Sequence, residues 1–170
     1  MIIWINGAFG SGKTTVATLL SKKLTPSFMY DPENVGYFLW QNEPECIKCK
    51  ENFQNEPLWR SFNYQMLKNI AENYNGDVIV PMTLADGTYY DEIIGRLRAD
   101  SIKVSHFVLG AKRETLLSRL IGRGDGADSW AAEQIDRCIA AYESGLFEGI
   151  IKTDDKSPES ITDIILEEIK

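Results

Sequence analysis

Apolar positions along the chain fall in short blocks, and the blocks change period in a regular order. Ile2-Ile3-Trp4-Ile5 is a continuous apolar run, the pattern of a strand covered on both faces, and after a glycine-rich turn Val16-Ala17-Thr18-Leu19-Leu20 reads as helix. Ser27-Phe28-Met29-Tyr30 is a second short run that halts at Asp31-Pro32, a turn or helix-start signal. From Glu33 to Glu56 aromatic residues mix with Asn, Glu and Pro without a clean period, so this stretch reads as a mobile excursion. Leu58, Phe62, Met66 and Ile70 then recur at helical spacing, and Asn75-Gly76-Asp77 closes that amphipathic helix. Val78-Ile79-Val80 is a buried strand stopped by Pro81, and a helix carrying Tyr90, Ile93, Ile94 and Leu97 follows it. The alternation continues with a strand over Val104 to Leu109, a helix with Leu116, Leu117 and Leu120, and the glycine-rich Gly122-Arg123-Gly124-Asp125-Gly126. Ala131, Ile135, Cys138, Ile139 and Tyr142 share one helix face, Gly149-Ile150-Ile151 is a last short strand, and Ser157-Pro158 caps a final helix. Five strands interleaved with helices predict an α/β fold: a three-layer α/β/α arrangement around a five-stranded parallel sheet with right-handed crossovers. No repeat, linker or low-complexity segment breaks the pattern, so a single domain over residues 1–170 is expected.

The turn after the first strand carries chemistry. Gly7-Ala8-Phe9-Gly10-Ser11-Gly12-Lys13-Thr14 fits the phosphate-binding loop G-x-x-x-x-G-K-[ST], in the strand–loop–helix context that the motif requires. Glycines let backbone N–H groups and a helix N-terminus point at phosphate oxygens, Lys13 reaches the β/γ phosphates, and the Thr14 hydroxyl can ligate Mg²⁺. ATP and Mg²⁺ are therefore the expected cofactors.

Size and charge narrow the partners. The 170 residues, 44% of them hydrophobic, suffice for one filled core. A net charge of −7 would repel a nucleic-acid backbone, and no local basic patch offsets it, so a small-molecule acceptor is expected rather than a polynucleotide. The start of the chain lacks a basic flank and no later apolar run approaches a membrane span, which predicts a cytoplasmic protein. Three cysteines without a secretory signal argue against a disulfide framework. Cys46-Ile47-Lys48-Cys49 resembles half a zinc site, but no second pair exists and His106 is the only histidine, so a solvated loop without metal is expected there. The oligomeric expectation is a monomer or homodimer.

Phosphate-binding loops serve kinases, GTPases, motor ATPases and helicases, and the remaining residues choose among them. No guanine-specificity signature is present, and the third strand ends in Pro81-Met82-Thr83 without the acidic pair of an ATPase-type metal and water site. A carboxylate follows the second strand, an excursion over roughly residues 31–75 precedes and includes the next helix, and Arg113, Arg119, Arg123 and Arg137 surround the glycine-rich segment. A small-molecule kinase needs such parts, because phosphoryl transfer depends on in-line positioning and on positive charge brought by a closing lid, here about residues 119–137. Arg119, Arg123 and Arg137 are the candidate lid arginines, whereas Arg113 reads as a solvated helix face. Asp31 is the candidate general base, or a carboxylate holding Mg²⁺ through water, with Glu33 in reserve. Asp31 could equally be a helix cap. Of the aromatic residues Tyr37, Phe38, Trp40, Phe53 and Trp59 that could stack on an acceptor ring, Tyr37 and Trp40 are the expected ones, with Asp31 and Glu33 as further acceptor-binding residues, while Phe62 reads as core.

The order of phosphate loop, Leu116-Leu117-Ser118-Arg119-Leu120 running to Arg123, a helix bearing Asp136-Arg137 and Tyr142, and a last strand into Thr153-Asp154 and Ser157-Pro158-Glu159 resembles the nucleoside-monophosphate-kinase-like P-loop kinases. The blocks MIIWINGAFGSGKT, YDPENVG, PLWRSFNY, VIVPMT, EIIGRLR and SWAAEQIDRC are more narrowly similar to the tunicamycin-resistance ATP-binding proteins. The resemblance implies that Gly7, Ala8, Phe9, Gly10, Ser11, Gly12, Lys13, Thr14 and Thr15 hold ATP, that Asp31 and the segment after it face the acceptor, and that Arg119, Arg123 and Arg137 form the lid. It also implies that Thr153 and Asp154 lie beside the adenine. Some relatives carry an extra basic C-terminal tail associated with membrane contact where this chain stops at Lys170, so membrane association does not carry over with the resemblance. Two functions follow as expectations: an ATP-dependent phosphotransferase acting on a small hydroxyl-bearing molecule, a nucleoside-like antibiotic being one candidate, or an ATP-dependent protein that sequesters a drug without transfer.

Overall fold

The computed structural model describes residues 1–49 and 51–170; residue 50, inside the expected excursion, lies outside the described residues. One parallel sheet organises the chain, with strand order β2-β3-β1-β4-β5. The strands are β1 (Ile2–Gly7), β2 (Ser27–Met29), β3 (Asp77–Pro81), β4 (Val104–Gly110) and β5 (Ile150–Lys152). The α/β fold with five parallel strands is the one predicted from the sequence. β1 lies at the centre because every residue of it is buried, which only a strand covered on both faces and flanked on both edges can be.

Alternation along β1 sends Ile3 and Ile5 to one face and Ile2, Trp4 and Asn6 to the other. On the first face Ile3 and Ile5 pack with Val16, Ala17 and Leu20 of α1 (Lys13–Lys23) and Ile161 and Ile165 of α9 (Pro158–Glu168). On the second, Ile2 and Trp4 pack with α2 (Glu33–Asn42), α3 (Pro57–Asn73) and a helix built of α4 (Gly87–Tyr90), a π turn over Asp91–Gly95 and α5 (Arg96–Ala99). The Trp4 indole N–H donates to the Met82 carbonyl at 3.0 Å, so β1 also holds the segment that continues past β3. A third cluster joins Ala8 and Val108 to α6 (Arg113–Gly122), α7 (Trp130–Glu133) and α8 (Ile135–Glu143).

Two expectations need correction. The stretch after Pro32 is not irregular throughout: α2 occupies Glu33–Asn42, with Val35, Gly36 and Leu39 turned inward and Tyr37 and Phe38 outward. In α3 the predicted apolar stripe lies on the wrong side, since Leu58 and Phe62 are 53% and 40% exposed while Trp59, Asn63, Tyr64 and Leu67 are buried. The buried polar group of that face is satisfied, because the Asn63 amide donates to Trp59 O at 2.9 Å and accepts from the Tyr30 hydroxyl at 2.7 Å.

Candidate functional site

The C-terminal edge of a parallel sheet is where such folds bind ligands, and two clefts lie there. The first, of about 690 Å³, follows β1 and is lined by Phe9 to Val16 together with Glu33, Pro81, Thr83, Arg119, Arg123, Lys156 and Pro158. Its loop holds Gly7, Gly10 and Gly12 at positive φ, and at the first two close approach excludes a side chain as well. Gly7 has φ +146°, and a Cβ there would meet Ser11 Oγ at 2.6 Å and Leu109 O at 2.8 Å; Gly10 has φ +81°, with Leu116 O 2.7 Å from any Cβ. α1 begins at Lys13 with no acidic residue in its first turn, so its free N–H groups and dipole face the cleft uncompensated. Lys13 Nζ donates to Gly7 O at 2.9 Å and Ala8 O at 3.0 Å. Burial pushes the Lys13 ammonium down to about 8, with neighbouring Glu33 opposing the shift. Among the described residues Ser11 Oγ, which is buried, has no hydrogen-bond partner.

The second cleft, of about 420 Å³, is walled by aromatic residues of α2, of the 51–54 segment and of α7: Tyr37, Trp40, Phe53 and Trp130, with Phe9 of the loop. Trp130 meets Phe9 edge-on with ring centroids 5.1 Å apart, and Phe53 meets Trp40 in the same way at 5.3 Å. Glu51, Asn52, Gln54, Gln134 and Arg137 supply its polar groups. Gln54 is fixed from behind by its amide N–H bond to Thr83 O at 2.7 Å. Phe9, Glu33 and Thr83 line both clefts, so the two meet at these side chains.

The sequence candidates distribute as follows. Phe9, Gly10, Ser11, Gly12, Lys13, Thr14, Thr15, Arg119 and Arg123 line the first cleft, and Glu33 lines both. Tyr37, Trp40 and Arg137 line the second. Asp31 lines neither; its Oδ1 accepts the Glu33 backbone N–H at 3.0 Å at the start of α2. Asp154 is also turned away, accepting from Lys112 N at 2.9 Å and the Thr115 hydroxyl at 2.7 Å, bonds that hold its carboxyl below the usual range. Thr153 is fully buried, with its backbone N–H on Gly110 O at 2.8 Å, and Arg119 donates to its carbonyl at 2.9 Å. Arg119 is therefore anchored to the loop after β5, whereas among the described residues Arg123 pairs only with Asp125 of the glycine-rich segment. Arg113 pairs with Asp136 at 2.9 Å on the surface. Thr83, Gln54, Lys156, Pro158 and Trp130 were not foreseen as site residues. Thr83, Trp130 and Pro158 lie within sequence blocks that carry the resemblance, but only their place in the fold marks any of the five as lining a cleft.

Cys46 is exposed and Cys49 partly so, and among the described residues no three His, Cys, Asp or Glu side chains group as metal ligands. Among the same residues no helix is long and apolar enough to cross a membrane.

A five-stranded parallel sheet with a phosphate loop after its central strand and a second cleft beside it has the architecture of a P-loop kinase-like protein. The chain belongs to the AAA domain family designated AAA_18, whose match runs over residues 3–137. Among solved structures it is similar to the tunicamycin resistance protein of Deinococcus radiodurans, at 27% identity over 99% of this chain and 94% of the other, with a TM-score of 0.83. That similarity supports the resemblance drawn from the sequence blocks. A sugar kinase from Janibacter sp. shares 18% identity over 98% of this chain and 92% of its own, with a TM-score of 0.69. A shikimate kinase from Bacteroides thetaiotaomicron shares 19% over 99% and 98%, with a TM-score of 0.63. These last two show the fold. No curated protein matches the sequence.

Proposed function

We propose that the chain is an ATP-dependent phosphotransferase acting on a hydroxyl of a small molecule bound among Tyr37, Trp40, Phe53 and Trp130, working as one domain. The observation that carries this reading is the meeting of the two clefts at Phe9, Glu33 and Thr83, which would bring an acceptor against the phosphate end of a nucleotide. The first cleft suits a polyanion: Lys13, Arg119, Arg123 and Lys156 face it with the α1 N-terminus, against one carboxylate, Glu33. Thr14 is the residue suited to hold Mg²⁺, which when bound neutralises phosphate charge. Lys13 and Arg123 would stabilise the charge of the transferring group, and Arg119, braced on Thr153, would hold the nucleotide side of the cleft.

Glu33 is the base in this reading. The acceptor oxygen bonds to phosphorus as its proton passes to the Glu33 carboxylate and ADP departs. Asp31 reads as the cap of α2, its carboxylate being spent on the Glu33 N–H. The aromatic walls favour a flat or ring-bearing acceptor, and tunicamycin, which the similar D. radiodurans protein is named for, is one compound to try. Incubation with Mg-ATP and a panel of nucleosides, aminoglycosides and tunicamycin tests the proposal by mass. A gain of one phosphate on a panel compound is expected. A compound bound tightly without mass gain would turn the reading to ATP-dependent sequestration.

A further inference from the structure

Asn6, on the Ile2 and Trp4 face of β1, is fully buried one residue before the phosphate loop. Its side chain is saturated with hydrogen bonds. Oδ1 accepts from the Gly7 N–H at 2.8 Å, the Leu84 N–H at 2.8 Å and the Tyr142 hydroxyl at 2.9 Å. Nδ2 donates to Leu84 O at 2.8 Å and lies 3.1 Å from His106 Nε2. Two of the oxygen's partners are backbone N–H groups, which only donate, so the amide can point one way alone. His106 Nε2 must then accept, which puts the ring proton on Nδ1, facing Glu148 O at 3.3 Å.

These bonds run to three different parts of the site. Gly7 starts the phosphate loop. Leu84 follows Thr83, which lines both clefts and itself donates to Gly7 O at 2.8 Å. Tyr142 belongs to α8, whose Arg137 and Cys138 line the second cleft. A hydrophobic residue at position 6 would leave the Leu84 amide without its side-chain partner in the core, and among the described residues no other side chain bonds all three segments.

We propose that Asn6 is a positioning residue: its amide fixes the phosphate loop, the floor shared by the two clefts, and α8 in one mutual geometry. It touches no ligand and acts through Gly7, Thr83 and Tyr142. The transfer part of this inference rests on the phosphotransferase reading; the nucleotide part does not.

Asn6→Asp tests it. The carboxylate keeps the three donors on one oxygen but turns an oxygen toward two acceptors, Leu84 O and His106 Nε2. At pH 8 Mg-ATP affinity should fall about tenfold, the scale of a lost buried hydrogen bond. Acidification to pH 6 should restore part of it, because the charged His106 then donates to the introduced carboxylate. The other groups facing that ring, the Tyr90 ring from α4, the Phe147 ring, and Arg98 paired with Glu148, stay as they are. The chain has a single histidine, so its proton NMR signal reports the pair directly: the midpoint should move from about 4 in the parent to above 6.5 in the variant. Transfer, where it occurs, should drop about 10²-fold in kcat through misplacement of the reacting groups. Parent Mg-ATP affinity with the parent pH profile, or a shifted histidine with unchanged affinity, would overturn the inference. If Asn6→Asp does not fold, the isosteric Tyr142→Phe decides: it should lower Mg-ATP affinity or kcat about threefold or more, and parent values in both would overturn the inference. A chain that binds Mg-ATP and shows these shifts yet transfers nothing would remove the phosphotransferase reading alone.

Discussion

Lys13 and Glu33 are the residues on which the proposed chemistry turns. Lys13→Ala should weaken Mg-ATP binding and abolish transfer while leaving the fold intact, since Nζ bonds only to carbonyls of its own loop; calorimetric titration and a melting curve separate the two effects. Because desolvation brings Lys13 down to about 8, its charge thins above that pH. Mg-ATP affinity measured across the range from neutral to alkaline pH should therefore decline on the alkaline side. Glu33→Gln should keep nucleotide binding and lower transfer about 10²-fold or more, whereas Asp31→Asn, which still caps α2, should transfer at close to the parent rate. A reversed result would return the base to Asp31. The phosphate loop was legible because its residues are contiguous and each type has one physical reason for its place. Which of Asp31 and Glu33 lines a cleft was not legible, because two residues along the first turn of a helix are enough to point one carboxylate at backbone and the other into a cleft.

Helices were found by period, but a period does not name the buried side. In α3 the stripe at 58, 62 and 66 and the stripe at 59, 63 and 67 are one residue apart, and the second is the buried one although it contains Asn63. Asn63 disguised the core face because its bonds to Tyr30 and Trp59, not its hydrophobicity, let it be buried. Denaturant unfolding should show Leu67→Ala costing roughly 2–5 kcal/mol and Phe62→Ala about 1 kcal/mol or less. α2 was hidden in the same way, since its inward Val35, Gly36 and Leu39 are interleaved with Tyr37 and Trp40, which belong to the second cleft. The arginines expected in a lid likewise divide once seen in place. Arg123→Ala should cut turnover by up to about 10³ with little loss of ATP affinity, while Arg119→Ala should also loosen the loop after β5 and weaken nucleotide binding; single-turnover rates beside titrations distinguish them.

For the molecule as a whole, the single histidine ties stability to pH. Burial pushes His106 down to about 4, so between about 6.5 and 4 the unfolded chain takes up a proton that the folded one refuses. Its contribution is complete above pH 6.5 and is lost as the pH falls through that window. The loss amounts to about 3 kcal/mol at the acid end by the pKa difference. Denaturant midpoints at about pH 7.5 and about pH 5 should show the decline, and His106→Gln should flatten it. The five parallel strands were readable at this scale because buried parallel strands are continuous apolar runs, whereas their order and the meeting of two clefts are properties of crossover geometry that no run of residues records.

The Phe9–Trp130 contact carries a thermodynamic consequence. One ring belongs to the phosphate loop and the other to the helix that closes the second cleft, so any ligand that favours this pairing changes the free energy of the other site. Linkage is reciprocal: the factor by which nucleotide tightens acceptor binding is the factor by which acceptor tightens nucleotide binding. Trp130 is also 48% exposed where Trp4 and Trp59 are fully buried, so with Trp40 of the same cleft replaced by phenylalanine its emission can follow both titrations in the same cuvette, and two unequal factors would mean that the rings report something other than a shared equilibrium.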